Sequence, residues 1–270
     1  MKRKSDPIEI PINIKNYNNS PGPGEGALSL ASMVSIHEVS RRLKKENGIN
    51  KLWVWDDYRT ATKTQEIIWQ MTGEWKARRS ITIQSPLAFH NLVRKEVARL
   101  ARLFNSNMIS CLRDFRRLGN KEYSFVFLEI LESIKRISKT RKTLLIQPVL
   151  GSKVLHHYFP SIIPVFDDYY ISKGVLQTPK YKAFCGVSVG QWCPRQIGLS
   201  KPRLQEYSSY LAYCLSLVCK IDTTILNKMR RILGNDSKQA FPFFVVNNKR
   251  NHLLWKLDAK LVEYCLMGSL

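Results

Sequence analysis

A lysine and an aspartate, Lys153 and Asp167, stand fourteen positions apart, and a second aspartate, Asp168, follows directly. A lysine in such a setting has three uses: a solvated helical cation, a phosphate contact, or a nucleophile. Only the last requires the ammonium to shed its proton, through desolvation or a neighbouring cation, so that the amine can attack an electrophilic carbon and form a Schiff base. The acids also have a plainer use, because an Asp-Asp pair shortly after Pro164 is a helix N-cap signal. His156 and His157 are adjacent. On a helix they point about 100° apart and cannot share one metal at the usual spacing, so they read as structural or surface histidines.

The segment that must position these groups runs from Thr143 to Ile171. Leu144, Leu145 and Ile146 read as an apolar helix end closed by Pro148, Gly151-Ser152 as a tight turn, and Val154, Leu155 and Tyr158 as the apolar side of a second short helix. Pro160 ends that helix, and Ile162 to Val165 run extended to the two acids. The expectation is a helix-hairpin-helix. Its turn N–H groups and the start of its second helix would face a phosphate without reading base sequence. Gly151 suits a close approach and Ser152 lies beside it, whereas the β-branched Val149 narrows the room. A purely structural hairpin is the alternative.

Pro148-Val149-Leu150-Gly151-Ser152-Lys153-Val154 resembles the Pro-Gly-Val-Gly-Thr-Lys-Val hairpin of helix-hairpin-helix DNA glycosylases of the 8-oxoguanine type, and Pro164-Val165-Phe166-Asp167 resembles the Pro-Val-Asp that follows it there. The stretch from Lys153 to Asp167 is more similar still to divergent, uncharacterised members with the pattern Lys-x-Leu-His-Phe-x-x-Pro-x-x-Phe-Pro-x-x-Asp. Val149 replaces the first hairpin glycine, the lysine-to-aspartate spacing is shorter, and Phe166 is an extra residue. The resemblance implies that Lys153 is the nucleophile and that Asp167 stabilises positive charge on the sugar as the base departs. Asp168 is the fallback acid, because Phe166 shifts the register.

The 270 residues are 44% hydrophobic, enough to bury a sizeable core. Lys and Arg number 43 against 21 Asp and Glu, a formal net charge of +22. That field favours polyanions, nucleic acid first and an anionic membrane surface second, but names no reaction. Six scattered cysteines contain no Cys-x2-Cys pair, which argues against a structural zinc site or an iron–sulfur cluster and for reduced thiols. Cys214 and Cys219 fall within an apolar helical pattern, as small core residues do. No run of about 18 apolar residues marks a membrane span, and the basic Met1-Lys-Arg-Lys leads into a polar run, unlike a secretory signal. The expected setting is intracellular and DNA-associated, in a nucleus or nucleoid.

Residues 1–26, rich in Pro, Gly and Asn, read as a mobile or extended arm, with Ile8, Ile10, Ile12 and Ile14 at strand spacing. A helical pattern follows over Leu28 to Leu43. Trp53 and Trp55 are either a base-stacking platform or core anchors, the latter the commoner use of tryptophan. Leu87, Leu92, Val93, Val97, Leu100 and Phe104 follow helical spacing with Arg94, Lys95, Arg99 and Arg102 largely on other faces. Arg113, Arg116 and Arg117 alternate with Leu112, Phe115 and Leu118. Arg94, Arg99, Arg102, Arg113, Arg116 and Arg117 are therefore candidate phosphate contacts, with an ordinary solvated helix face as the alternative. Phe125, Leu128, Leu131, Ile134 and Ile137 form a clean helical stripe. Lys173 to Lys201 lacks periodicity and reads as a long loop. Leu204 to Val218 is a strong helix, Asp222 caps another, Phe241 to Val246 is a strand or buried turn, and Leu254 to Tyr264 is a last helix.

The expected fold is mainly α, a globular array of short helices containing a helix-hairpin-helix, with few or no strands. Residues 27–270 form one glycosylase-like domain or two subdomains flanking a cleft. The expected function is DNA-repair glycosylase/lyase-like excision of a damaged base from duplex DNA, with no cofactor or metal and no membrane partner. The alternatives are a non-enzymatic nucleic-acid-binding protein that keeps the hairpin for phosphate contact, and an interaction protein whose basic faces meet an acidic partner.

Overall fold

A computed structural model describes residues 86–138, 148–159, 161–194 and 202–220, together with Trp69, Ala259, Val262 and Leu266. The expectations for the arm at 1–26, the helix from Leu28, Trp53 and Trp55, the apolar run at 144–146, and the elements at 222–234 and 241–246 lie outside these residues. Of the last expected helix, Ala259 and Val262 are helical and buried.

Every regular element among the described residues is helical, so the fold is mainly α. Helix α1 spans Pro86–Ser106 and buries Phe89, Val93, Val97, Leu100 and Phe104, one stripe at steps of four and three. It ends where the Ile109 amide returns to the Phe104 carbonyl at 2.8 Å, across Met108 in the left-handed region at φ 54°. A 3-10 helix over Leu112–Arg117 follows. Asp114 reaches back to the amides of Ser110 (2.7 Å) and Cys111 (3.0 Å) and so closes its N-terminus.

Helix α2, Asn120–Ser138, buries Val126, Phe127, Ile130, Leu131, Ile134 and Ile137. Of the expected stripe, Leu131, Ile134 and Ile137 are buried and Leu128 is half-buried, but its first member faces out: Phe125 is 56% exposed. The helix carries apolar residues on two neighbouring faces, and periodicity alone does not choose between them. A buried polar clamp joins α1 to α2. Glu96, 1% exposed, accepts from Arg99 Nε (3.1 Å), Ser133 Oγ (2.9 Å) and Arg136 Nη1 (3.3 Å). A carboxylate this deep is tolerable because each neighbour supplies a donor.

Helix α3 spans Pro148–Tyr158 and packs mainly on α2. Then come an extended stretch to Asp167, a π-helical turn at Asp168–Ser172, a 3-10 turn at Val175–Gln177, helix α4 at Pro179–Val187, the single turn α5 at Val189–Trp192, and helix α6 at Pro202–Lys220. The expected loop from Lys173 is thus helical as far as Trp192. Thr178 caps α4 by accepting from the Tyr181 amide at 3.3 Å, Pro179 starts it, and only Tyr181 and Phe184 are buried, too few to show a period. Helix α6 lies at the centre, burying Leu204, Tyr207, Tyr210, Leu211, Cys214, Leu215 and Val218.

The Gly151-Ser152 turn of the expected hairpin is absent: both residues lie inside α3 and are buried. Pro148 is the first residue of this helix, a position that its fixed φ and missing N–H suit. Gly151 is there for packing. A Cβ on it would stand 2.5 Å from the Ile134 carbonyl oxygen and 2.6 Å from Ser138 Oγ.

Candidate functional site

Three side chains fix the extended stretch against its neighbours. Ser152 Oγ, inside α3, accepts the Phe166 amide at 3.0 Å and donates to the Val149 carbonyl at 3.2 Å. One turn later, buried His156 places Nδ1 2.5 Å from the Ile163 carbonyl, so Nδ1 carries the proton. From α6, Tyr207 donates its hydroxyl to the Pro164 carbonyl at 3.1 Å. Both Ile162 and Ile163 amides return to the Phe159 carbonyl at 2.9 Å, which makes the chain reversal after α3.

This register sets the chemistry. Because Ser152 of α3 holds Phe166 of the extended stretch, the residues that follow each of them come together: Lys153 Nζ lies 3.0 Å from Asp167 Oδ2. Lys153 is 8% exposed and the Asp167 side chain 24% exposed, so the pair sits at the edge of the core with its acid partly open to solvent. A charge-assisted hydrogen bond in such surroundings is stronger than a surface ion pair and gives the amine a proton acceptor within reach.

Asp168 belongs to a different group. Arg203 of α6 pairs with it, donates to Ser172 Oγ (2.7 Å) and Glu206 Oε2 (2.6 Å), and lays its guanidinium 5.5 Å over the Phe166 ring. Phe166 is buried edge-on against Tyr207 and Tyr210. Arg203 therefore grips both neighbours of Asp167 and the end of the π-helical turn, in which the Ile171 and Ser172 amides share the Asp167 carbonyl at 3.2 and 3.0 Å. Nothing in the sequence links Arg203 to Asp168, 35 positions earlier; only the packing of α6 does.

The expected nucleic-acid contacts divide. Buried Gly151 and Ser152 hold α3 to α2 and to Phe166 and offer no outward turn. Arg99 is spent on Glu96, Glu129 and Ser133. Arg116 donates to the Cys219 carbonyl, Arg117 pairs with Asp114, and Arg113 is half-buried. Arg94 and Arg102 are exposed on α1, the latter donating from Nε to the Ala98 carbonyl at 3.3 Å.

Among the described residues no group of His, Cys, Asp and Glu is placed to hold a metal ion. The described cysteines form no disulfide. Burial pushes the Cys193 thiol up, with the Ser208 hydroxyl pulling the other way, and so disfavours a thiolate there. Burial also raises the Tyr158 and Tyr207 hydroxyls and keeps them neutral beside the lysine-bearing helix and the extended stretch. What the geometry joins chemically is one amine and one acid, braced by an arginine. No family model, curated protein or solved structure matches the chain.

Proposed function

We propose that this protein binds DNA and excises a damaged base as a glycosylase with lyase activity, through Lys153 and Asp167. The observation that carries the reading is the 3.0 Å approach of the Lys153 amine to the Asp167 carboxylate, two groups fourteen positions apart that the glycosylase resemblance assigns to one reaction. The net charge of +22 supports a polyanionic substrate. In the proposed step Asp167 takes the ammonium proton. The freed amine attacks the sugar carbon of a nucleotide turned out of the duplex, the C–N bond to the base breaks as the base takes that proton from Asp167, and one proton of the attacking nitrogen passes to the ring oxygen as the sugar ring opens to a protonated imine. Once it has given up that proton Asp167 is a carboxylate again and offsets the positive charge of the imine.

A non-enzymatic DNA-binding protein is the second reading. It is favoured by the ion pairing of Lys153 with Asp167, and with Gly151 and Ser152 buried its phosphate contacts would come from other residues than the expected turn. Borohydride trapping on duplexes with oxidised, deaminated or abasic sites tests the choice. A covalent adduct that disappears in Lys153→Gln supports excision chemistry, and salt-sensitive binding without any adduct supports the second reading.

A further inference from the structure

With Gly151 and Ser152 buried, and with Arg99, Arg116 and Arg117 each bonded to other parts of the chain, Arg94 and Arg102 on α1 are what remains of the expected contacts, and a second cationic surface lies beyond the site. No Asp or Glu occurs between Asp168 and Glu206, while six Lys and Arg do: Lys173, Lys180, Lys182, Arg195, Lys201 and Arg203. This acid-free segment begins directly after the acids of the site. Its described part is folded: the π-helical turn packs on the 3-10 turn, which packs on α4, and α4 packs on α6. Tyr181 and Phe184 face inward, where both rings meet Tyr213. The charged side chains between Lys173 and Val187 are Lys173, Lys180 and Lys182, and all three are exposed.

We propose that Lys173, Lys180 and Lys182 form the surface that holds a nucleic-acid backbone beside the Lys153–Asp167 pair, in place of the hairpin turn. Three exposed ammonium groups on a folded, acid-free segment attract a phosphate strand without reading its bases, since none has a carboxylate from its own segment to compete with. An anionic bilayer would be attracted by the same charges. Nucleic acid is the better fit, because the segment issues from the amine–acid pair and, among the described residues, carries one outward large apolar residue, Val187, rather than the apolar face that inserts into a membrane interface. The choice of partner rests on the DNA reading of that pair.

The test measures binding of the full chain to a short duplex with an abasic site over a series of salt concentrations. The combined Lys173→Gln, Lys180→Gln, Lys182→Gln variant is compared with wild type. The slope of log affinity against log salt is expected to fall in magnitude by about 0.9 for each phosphate no longer neutralised, up to about 2.7 in all. The corresponding Lys→Arg variant is expected to keep the wild-type slope. An unchanged slope in the Gln variant overturns the proposal, as does an equal fall in the Arg variant, which would mark a role other than charge. Wild-type binding to phosphatidylserine vesicles without binding to the duplex also overturns it. Failure of the excision reading is separate: a fall in slope with no borohydride adduct ends that reading and leaves this surface standing, and an adduct with an unchanged slope does the reverse.

Discussion

At the scale of single residues, the sequence puts Asp167 first and Asp168 as the fallback only through a resemblance whose register Phe166 shifts, and the backbone register separates them. Ser152 fixes Phe166, which turns Asp167 to Lys153 and leaves Asp168 to Arg203. Asp167→Asn is therefore expected to lower the rate of borohydride adduct formation by about 10²-fold or more, the scale of a lost general base, whereas Asp168→Asn changes it only severalfold. Equal losses in single-turnover trapping would remove the distinction. Asp114 supports a second prediction. Burial disfavours its charge, but the Ser110 hydroxyl and amide, the Cys111 amide and the Arg117 charge outweigh that and hold the carboxyl below its ordinary 3.8. A folded-state value below the unfolded one means the stabilisation is complete above the unfolded value and disappears as pH falls through the folded one. Asp114→Ala should thus cost about 1.5–3 kcal/mol at neutral pH in urea unfolding, with the gap to wild type closing below about pH 4. A gap that persists at low pH would show that packing, rather than the carboxylate, is responsible.

At the scale of elements, what the sequence shows is amphipathic period, and what it hides is which of two meanings a glycine or proline carries. The helices from Pro86, Asn120 and Pro202 are legible because apolar residues recur along them, although Phe125 shows that a helix apolar on two sides conceals which side faces in. Pro148 and Gly151 mislead together: proline both ends and begins helices, and glycine both turns a chain and lets two helices touch. Only the position of α2 decides, because its Ile134 carbonyl fills the space where a side chain would go. The amine–acid pair is legible from motif; the Arg203 brace is not, because it spans elements. Two glycines give opposite predictions. Gly151→Ala forces backbone against backbone and is expected to cost about 1–3 kcal/mol or more. Gly186 sits in α4 with open space where its Cβ would be, so Gly186→Ala is expected to stabilise by about 0.5–1 kcal/mol through helix propensity. Chemical denaturation of the two variants checks both signs: a neutral or stabilised Gly151→Ala would refute its packing role, and a destabilised Gly186→Ala would refute the open space in α4.

At the scale of the whole molecule, the charge of +22 is large for 270 residues, and the internal ion pairs consume acids that would otherwise dilute it. Glu96 is buried under Arg99 and Arg136 and Asp114 under Arg117, and the half-buried Asp167 is paired with Lys153. The outward field is therefore more uniformly positive than the acid count implies, and it opposes folding by self-repulsion until counterions or a polyanion screen it. Added salt has two opposing effects here: it screens repulsion over roughly a Debye length, which stabilises, and weakens exposed ion pairs, which destabilises. The best-buried pairs, Glu96 with its partners and Lys153 with Asp167, are poorly screened, so the first effect should win. The midpoint of thermal unfolding is expected to rise by several degrees between about 10 mM and about 150 mM sodium chloride, an interval that shortens the Debye length from about 30 Å to about 8 Å. A short duplex at low salt should raise it further, since a ligand that binds the folded chain stabilises it by mass action. A midpoint that falls with salt and is indifferent to DNA would mean that surface ion pairs, rather than an unbalanced positive field, govern this molecule.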